Sequence, residues 1–374
     1  MPLTITQVGL PPTLQTLLRD TSRSFYLTLQ VLPSRVRPQI GLAYLLARAS
    51  DTIADTELVP VEERLVALEA LRSRILGDRN EPVDLGRLAL SQRGRSAIAE
   101  KRLLERLELA TAQLPRLTPI DLEVVRRVLQ TITVGQELDL RRFEVIEAVP
   151  PPSPSAECLP PVIVPTPPPL PVVGKRIVKP VRALATFEEL DDYTYRVAGC
   201  VGEFWTDLTR RHYFADHRLD EAAFRADGIA FGKGLQLVNI LRDLPRDLQN
   251  GRCYLPADRL ECLGLSPRDL LAPGSEPKLR PLYRELVELA FRHLEAGWRY
   301  TNTIPFGHFR LRLACAWPVL IGVRTLVKLL AANPLDPRHR IKVDRAEVRQ
   351  ILAGSILRLP SRGAWVSQFQ QALE

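Results

Sequence analysis

Apolar residues recur three and four positions apart along most of this chain, which is the period of an amphipathic helix. The pattern covers residues 14–33, 37–56, 61–76, 102–114 and 118–146, then 186–211, 220–244, 281–304 and the region around Cys315. Thr118 and Pro119 fit the cap and the first position of one of these helices. No clear run of alternating apolar and polar residues indicates a strand. The sequence therefore predicts an all-α fold.

Residues 149–180 interrupt the helical pattern. They contain about a dozen of the chain's 32 prolines, and proline removes a backbone donor and fixes φ, so neither helix nor sheet is expected there. We predict one domain over residues 1–374, interrupted by a flexible insertion at 149–180. The segment is either a tolerated insertion between helices or a lid or docking arm.

Composition and charge limit the classes of partner. A chain of 374 residues with 45% hydrophobic and 25% charged content is an ordinary globular protein with room for a large core. Its net charge of +8 favours an anionic partner. Nucleic acid is not expected, because the arginines are scattered through amphipathic helices and no nucleic-acid-binding fingerprint is present. Small polyanions such as diphosphates, or an acidic membrane surface, fit the charge.

The cysteines and the apolar stretches bear on location. The five cysteines are an odd number without CxxC spacing, so we expect reduced thiols instead of disulfides or a zinc site. The amino-terminal residues lack the basic and apolar regions of a signal peptide, and the best apolar stretch carries Arg324 and Lys328. We expect a cytoplasmic protein without a membrane-spanning helix. Peripheral contact with a membrane remains an alternative.

Two pairs of aspartates carry the candidate chemistry. Asp51 and Asp55 lie four apart in one apolar helical stretch, and Asp243 and Asp247 repeat that spacing in a second one. Positions i and i+4 share one face of a helix, so each pair can reach a single ion. Carboxylate oxygens without histidine or thiolate select a hard cation such as Mg²⁺, which keeps waters and bridges to phosphates.

An arginine accompanies each pair, Arg48 before the first and Arg242 before the second. One such pair alone usually marks a solvated helix face, but two pairs in apolar helices favour a binding site. Facing each other across a bundle, they would hold several Mg²⁺ ions around a diphosphate, with the arginines on its oxygens. The five histidines lack metal-ligand spacing and there is no nucleophile elbow, so a hydrolase is not expected.

Four segments share a further pattern. They read, in chain order, TSRSFYLTLQVLP from Thr21, YLLARASDTIAD from Tyr44, YTYRVAGCVG from Tyr193, and LVNILRD followed by GRCYLP. Together they resemble the squalene and phytoene synthases, which join two prenyl diphosphates head to head. The resemblance implies a single-domain, all-α bundle of the isoprenoid-synthase type, with a central apolar cavity and the two aspartate-bearing helices at its mouth.

The resemblance also implies roles for individual residues. The implied Mg²⁺ ligands are Asp51, Asp55, Asp243 and Asp247. The implied substrate-binding residues are Ser22, Arg23, Phe25, Arg48, Gln236, Asn239, Arg242 and Arg252. The implied catalytic residues are Tyr44, Tyr193 and Arg48. Either tyrosine would steer a carbocation or relay a proton.

Within the family, residues 315–318 resemble squalene synthase. The implied reaction joins two farnesyl diphosphates through presqualene diphosphate and then uses NADPH to reduce the intermediate to squalene. Ala314 stands where squalene synthases have an aromatic residue, which puts the NADPH step in question, and Pro245 is expected to distort the helix between the second pair. Phytoene or dehydrosqualene synthase, without a reductant, and a non-catalytic binding or assembly factor of the same fold remain alternatives.

Overall fold

Helices form almost all of the regular structure in the computed structural model, which describes residues 9–22, 25–56, 58–91, 97–144, 180–338 and 341–374. The amino-terminal part contains α1 (Pro12–Ser22), α2 (Phe25–Val31), α3 (Arg37–Ala54), α4 (Val61–Leu76), α5 (Gly86–Ser91), α6 (Ala97–Glu105), α7 (Leu107–Thr111) and α8 (Pro119–Phe143). The Thr118 hydroxyl accepts a hydrogen bond from the Asp121 amide at 3.2 Å, which confirms the predicted cap of α8.

The carboxyl-terminal part begins with a short strand and continues in helices. Its elements are β1 (Arg182–Leu184), α9 (Phe187–Thr194), a π-helical turn (Tyr195–Gly199), α10 (Cys200–Tyr213), α11 (Glu221–Gln249), β2 (Arg252–Pro256), α12 (Ala257–Glu261), α13 (Glu276–Thr303), α14 (Phe309–Ala331), α15 (Arg345–Arg358), α16 (Arg362–Val366) and α17 (Gln368–Leu373). The long helices up to α14 lie in the stretches of helical periodicity, whereas α5, α12 and α15 to α17 lie outside them. The predicted all-α class is confirmed.

Helix α11 lies at the centre of the bundle, in contact with α10, α13 and α14. Two glycines let α10 and the turn before it approach α11 closely. A Cβ atom on Gly202 would lie 1.9 Å from the Gly228 carbonyl oxygen, and one on Gly232 would lie 2.1 Å from that of Ala198. The backbones therefore touch, and any side chain at these glycines would force the helices apart.

A two-stranded parallel sheet pairs β1 with β2, with Arg182 opposite Arg252. The sequence pattern did not predict it, because strands of three and five residues are too short to show alternation. Gly251, with φ of 83°, makes the turn between α11 and β2. The pairing brings Arg252 beside the end of α8, which matters for the site below.

Helix α11 continues through Pro245 to Gln249, so the expected distortion does not interrupt it. Proline has no N–H, so the Leu241 carbonyl, four residues earlier, lacks its usual helical partner. The Tyr283 hydroxyl, from α13, donates to that carbonyl at 3.2 Å. A side chain from the neighbouring helix thus satisfies the oxygen that the proline leaves unpaired.

The elements that flank the proline-rich segment, α8 and β1, lie side by side. The segment itself lies outside the described residues apart from Pro180, so its predicted flexibility stays a prediction. The Arg182 guanidinium donates to the Arg142 carbonyl at 3.3 Å, and Arg142 is 3.4 Å from the Glu189 carboxylate. Helix α8 and strand β1 therefore meet directly.

Helix α14 is long and apolar enough to cross a membrane, the one such helix in the part of the chain that the structure describes. However, 67% of its most apolar stretch is buried inside the fold, as in the core helix of a bundle.

The described cysteines, at positions 200, 253, 262 and 315, are all free of disulfide bonds.

Candidate functional site

An apolar cavity of about 270 Å³ lies within the bundle, which confirms the predicted central cavity. Its wall is built from α3, α8, α10, α11, α13 and α14. Aromatic side chains contribute to the lining from Tyr44, Phe204, Trp205, Phe231 and Tyr300. The remaining wall is mainly alanine, glycine, valine, leucine and isoleucine, so the interior suits a hydrocarbon and offers few partners to water.

The first aspartate pair lies at the end of α3. Asp51 is 46% exposed, accepts a hydrogen bond from Gln136 at 2.5 Å and lies 3.9 Å from Arg48. Desolvation by the surrounding protein and the Asp55 carboxylate raise the pKa of Asp51 to about 6, against the opposing effects of Arg48 and Gln136. Arg48 also binds Glu100 at 2.5 Å. Asp55 directly follows α3 and is exposed.

The second pair lies near the end of α11. Arg242 donates twice to Asp243, at 3.1 and 2.5 Å. Burial, the Asp243 carboxylate and the more distant Asp139 raise the pKa of Asp247 to about 7, and Arg252 opposes this rise. Each pair therefore consists of two carboxylates that destabilise each other's charged form, a situation that a bound cation relieves.

Arg252 connects the two pairs. It donates to Asp139 at 3.0 Å and to Glu144 at 2.6 Å. Desolvation by the surrounding protein raises the pKa of Asp55 as well, and the charge of Arg252 opposes this rise just as it does at Asp247. The guanidinium is thus within electrostatic reach of both pairs.

Asp51 lies one turn of α3 beyond the lining residue Ala47, and Asp243 lies two turns of α11 beyond the lining residue Leu235. Both pairs therefore lie past one end of the cavity, called the mouth from here on.

The sequence analysis missed Asp139 and Glu144. Burial, with the nearby Asp55 carboxylate, raises the pKa of Asp139 to about 6 although Arg252 opposes the rise. Asp139 is three residues after Gln136, the partner of Asp51, so both point from one face of α8. That spacing, in a helix with many charged residues, is not distinctive enough to have identified either residue.

Both predicted tyrosines lie near the mouth or in the wall. Tyr44 lines the cavity, and its hydroxyl donates to the Thr21 carbonyl at 3.2 Å. Tyr193 stacks on Tyr254 with ring centroids 4.6 Å apart, and Gln236 donates to its hydroxyl at 3.5 Å. Burial raises the pKa of Tyr193 well above its ordinary value, so this hydroxyl stays protonated at neutral pH.

The other predicted substrate-binding residues lie in different parts of the fold. Asn239, one turn before Asp243, donates to Gln236 at 3.4 Å. Ser22 is buried at the end of α1, and its hydroxyl lacks a hydrogen-bond partner among the described residues. Arg23 and the side chain of Phe25 lie outside the described residues, so their predicted roles stay predictions.

The donor set fits Mg²⁺ held jointly with a ligand. Within the described ranges, no group of three or more histidine, cysteine, aspartate or glutamate side chains converges to enclose a metal by itself. Mg²⁺ commonly takes only one or two carboxylates and fills its other positions with water and phosphate oxygens. Two mutually repelling carboxylates at each side of the mouth suit that mode and leave room for a diphosphate.

Solved structures with this fold define the class of protein. The complex of TcSQS with the ligand BPH1237 has a TM-score of 0.68 at 19% identity, over 97% of this chain and 99% of that one. A dehydrosqualene synthase complex has a TM-score of 0.59 at 19% identity, over 93% of this chain and 95% of that one. The fold is therefore that of the squalene-synthase-type isoprenoid synthases.

The family follows from the sequence match. The profile described as squalene/phytoene synthase matches residues 18–347. The chain belongs to this family of head-to-head prenyltransferases.

Individual relatives come from both branches of the family. A 15-cis-phytoene synthase of Synechocystis is 32% identical over 166 residues, covering 41% of this chain and 46% of that protein. A presqualene diphosphate synthase of Zymomonas mobilis is 33% identical over 156 residues, covering 41% and 48%. A squalene synthase of Gibberella zeae is 23% identical over 338 residues, covering 89% and 61%. The chain thus matches less than half the length of the first two relatives.

Proposed function

We propose that this protein joins two farnesyl diphosphates head to head to presqualene diphosphate in a Mg²⁺-dependent reaction, and then reduces this intermediate to squalene with NADPH. The observation that carries the proposal is the pair of aspartate motifs at one end of an apolar, aromatic-lined cavity. A polar end that binds diphosphate and an apolar interior that accepts hydrocarbon match the two parts of a prenyl diphosphate.

Asp51, Asp55, Asp243 and Asp247 would hold the Mg²⁺ ions. Bound there, Mg²⁺ supplies charge neutralisation for the departing diphosphate. Arg48 now pairs with Asp51, and Arg242 pairs with Asp243. With the carboxylates neutralised by Mg²⁺, both guanidiniums would be free to bind phosphate oxygens. Gln236 and Asn239 present amide donors on the same face of α11.

The cavity protects the reacting hydrocarbon. Loss of diphosphate from one substrate leaves an allylic carbocation, which the double bond of the second substrate attacks. Loss of a proton then closes a cyclopropane, so the products are presqualene diphosphate, diphosphate and one proton. The rings of Tyr44, Trp205 and Phe231 stabilise positive charge through their π faces, and the apolar wall keeps water away. Tyr44 and Tyr193 are the candidates for relaying the proton.

The choice of squalene as the product depends on the resemblance of residues 315–318 to squalene synthase. Cys315 and Pro318, which carry the resemblance to squalene synthase, both line the cavity, as does Ala314. NADPH would supply the hydride of the second half-reaction. The described residues contain no strand, glycine loop and helix of the kind that holds dinucleotides, so no residue is assigned to this cofactor. The similarity to phytoene synthases favours, as second candidate, a phytoene or dehydrosqualene synthase that needs no reductant.

Product analysis tests the proposal. Purified protein is incubated with farnesyl or geranylgeranyl diphosphate and Mg²⁺, with and without NADPH, and both the prenyl diphosphate and the hydrocarbon products are identified by mass spectrometry. We expect presqualene diphosphate without NADPH and squalene with it. Dehydrosqualene or phytoene formed regardless of NADPH would support the second candidate. No condensation product under any condition would instead favour a non-catalytic binding or assembly factor.

A further inference from the structure

The end of the cavity remote from the mouth is closed by Tyr300. On α11 the lining residue farthest from the acidic pair is Gly228, about 22 Å from Asp243 at 1.5 Å per residue. On α8 the corresponding residue is Val128, three turns before Asp139. A Cβ atom on Gly228 would lie 3.2 Å from the Tyr300 ring, so the ring lies at this level of the cavity.

Several contacts hold the Tyr300 ring in place. Thr206 donates to its hydroxyl at 3.1 Å, and the ring stacks on Phe224 with centroids 4.2 Å apart and planes 6° from parallel. Tyr300 is only 1% exposed. Gly228 has no room for a methyl group, since its Cβ would meet the Thr206 hydroxyl at 2.6 Å. The wall is therefore tightly packed and consists of two stacked rings, with Tyr300 facing the cavity and Phe224 behind it.

A second pocket of about 350 Å³ begins directly behind this wall. Thr206 and Phe224, the partners of Tyr300, are part of its lining. Val124 and Phe224 also lie one helical turn beyond Val128 and Gly228 on the same two helices, away from the mouth. This outer pocket thus continues the axis of the cavity, separated from it by the stacked rings of Tyr300 and Phe224.

The outer pocket has an apolar base and a charged rim. Three of its four arginines are paired with carboxylates. Arg127 binds Asp207 at 2.5 Å, and Arg225 binds Glu203 at 2.7 Å. Arg210 binds Glu221 at 2.9 Å. The fourth arginine, Arg211, is offset by Glu123 in the same lining, so little net charge is left for an anion. The apolar base formed by Val124, Leu219 and Phe224 can accept hydrocarbon.

We propose that Tyr300 limits the length of the isoprenoid chain that this protein accepts, and that removing its ring deepens the cavity towards the outer pocket, as far as Phe224. This inference rests on the proposed function, because it concerns the hydrocarbon tail of the same prenyl diphosphate. A chain one isoprene unit longer than farnesyl would gain apolar contacts only when the wall is open.

The experiment compares Tyr300→Ala and the milder Tyr300→Leu with wild type. Binding of non-ionisable farnesyl and geranylgeranyl diphosphate analogues in Mg²⁺ is measured by titration calorimetry, which needs no turnover. Trp298→Ala is the matched control, because Trp298 is a buried ring on the same helix that stacks on Trp365 away from the cavity. Tyr300→Phe keeps the ring and loses only the hydrogen bond from Thr206.

We expect the ratio of the two dissociation constants to shift about tenfold towards the longer analogue in Tyr300→Ala, and less in Tyr300→Leu. The ratio should stay unchanged in Tyr300→Phe and Trp298→Ala. An unchanged ratio in a folded Tyr300→Ala or Tyr300→Leu protein, or an equal shift in Trp298→Ala, would overturn the inference. If wild type turns over farnesyl diphosphate, such a result leaves the proposed function standing, whereas wild type that binds neither analogue contradicts both.

Discussion

Arg252 and Glu144 join residues of the candidate site that are far apart in the chain. Arg252 donates to Asp139 and to Glu144, and the other oxygen of Glu144 binds Arg64. Arg64 in turn donates to the carbonyl of Ala54, the residue before Asp55, at 2.6 Å. This chain of contacts fixes the end of α3 relative to β2 and α8. We infer that it positions the first aspartate pair against the second.

At this residue scale, Glu144→Gln should destabilise the protein. The change removes one partner of Arg64, which is only 3% exposed, and leaves a buried guanidinium short of its counter-charge. We expect a loss of about 3 kcal/mol in the free energy of unfolding, measured by urea denaturation. The control is Glu63→Gln, because Glu63 pairs with Arg87 at the surface and should contribute less than about 1 kcal/mol. Equal effects of the two changes would contradict the positioning role of Glu144.

Asp51→Asn and Asp243→Asn should abolish condensation without unfolding the protein. Each change removes a proposed Mg²⁺ ligand and also one of two repelling carboxylates, so the melting temperature should stay the same or rise slightly. Turnover with Mg²⁺ and the circular dichroism melt are the measurements. Asp258→Asn, at an exposed position on α12, is the control and should keep full activity. Near wild-type rates in either variant, or activity that survives EDTA, would refute the metal-diphosphate hypothesis.

At the scale of the elements, Tyr283 on α13 compensates for the proline in α11. Tyr283→Phe should cost about 1–2 kcal/mol, because the buried Leu241 carbonyl loses its donor. In a Pro245→Ala background the helix supplies its own N–H, so the same change should cost much less. A double-mutant cycle of unfolding free energies measures the difference. Additive effects would show that the hydroxyl is not the proline's replacement donor.

Asp121, at the start of α8, ties three helices together. It is fully buried and accepts hydrogen bonds from His212 of α10 at 3.0 Å and from Gln39 of α3 at 3.2 Å. Burial alone would raise the pKa of Asp121, but the hydrogen bonds from His212 and Gln39 outweigh it and lower the pKa below its ordinary value. A lowered carboxyl pKa stabilises the fold above the unfolded-state pKa, and that stability is lost as the pH falls through the folded-state pKa.

Asp121→Asn should therefore lower the free energy of unfolding at pH 7 by about 1–2 kcal/mol. This loss should become smaller in acid, where the carboxyl of the wild type is protonated. The unfolding free energies of the variant and wild type are measured by denaturant titration between pH 7 and pH 2. Their difference should stay constant down to about pH 4, near the unfolded-state pKa, and should shrink below it as the carboxyl of the wild type becomes protonated. A difference that stays constant over this range would mean that the charge of Asp121 contributes nothing.

At the scale of the whole molecule, residues 150–179 should be dispensable for folding. The hydrogen bond between Arg182 and the Arg142 carbonyl shows that the flanking elements contact each other directly, so a short Gly/Ser linker can join them. We expect a cooperative melt close to that of wild type and retained condensation of soluble substrate. A much lower melting temperature would instead indicate that the segment packs as part of the core.

Most of the long helices and both aspartate pairs could be predicted from the sequence alone. Helical periodicity, the cap at Thr118 and the spacing of Asp51 with Asp55 are local properties, since residues three or four apart are neighbours on any helix. The all-α class and the family could be predicted for the same reason, because the family's motifs are short contiguous segments. These features need no knowledge of which helices pack together.

The contacts between charged and aromatic residues that are distant in the chain are visible only in the tertiary structure. Arg252 and Asp139 are 113 positions apart, and Tyr283 meets Leu241 across 42 positions. In sequence, Asp139 and Glu144 look like any charges on a solvated helix face, and Tyr300 looks like an ordinary core residue. Their partners lie on other elements, so their roles follow from how the helices pack, which local pattern does not encode.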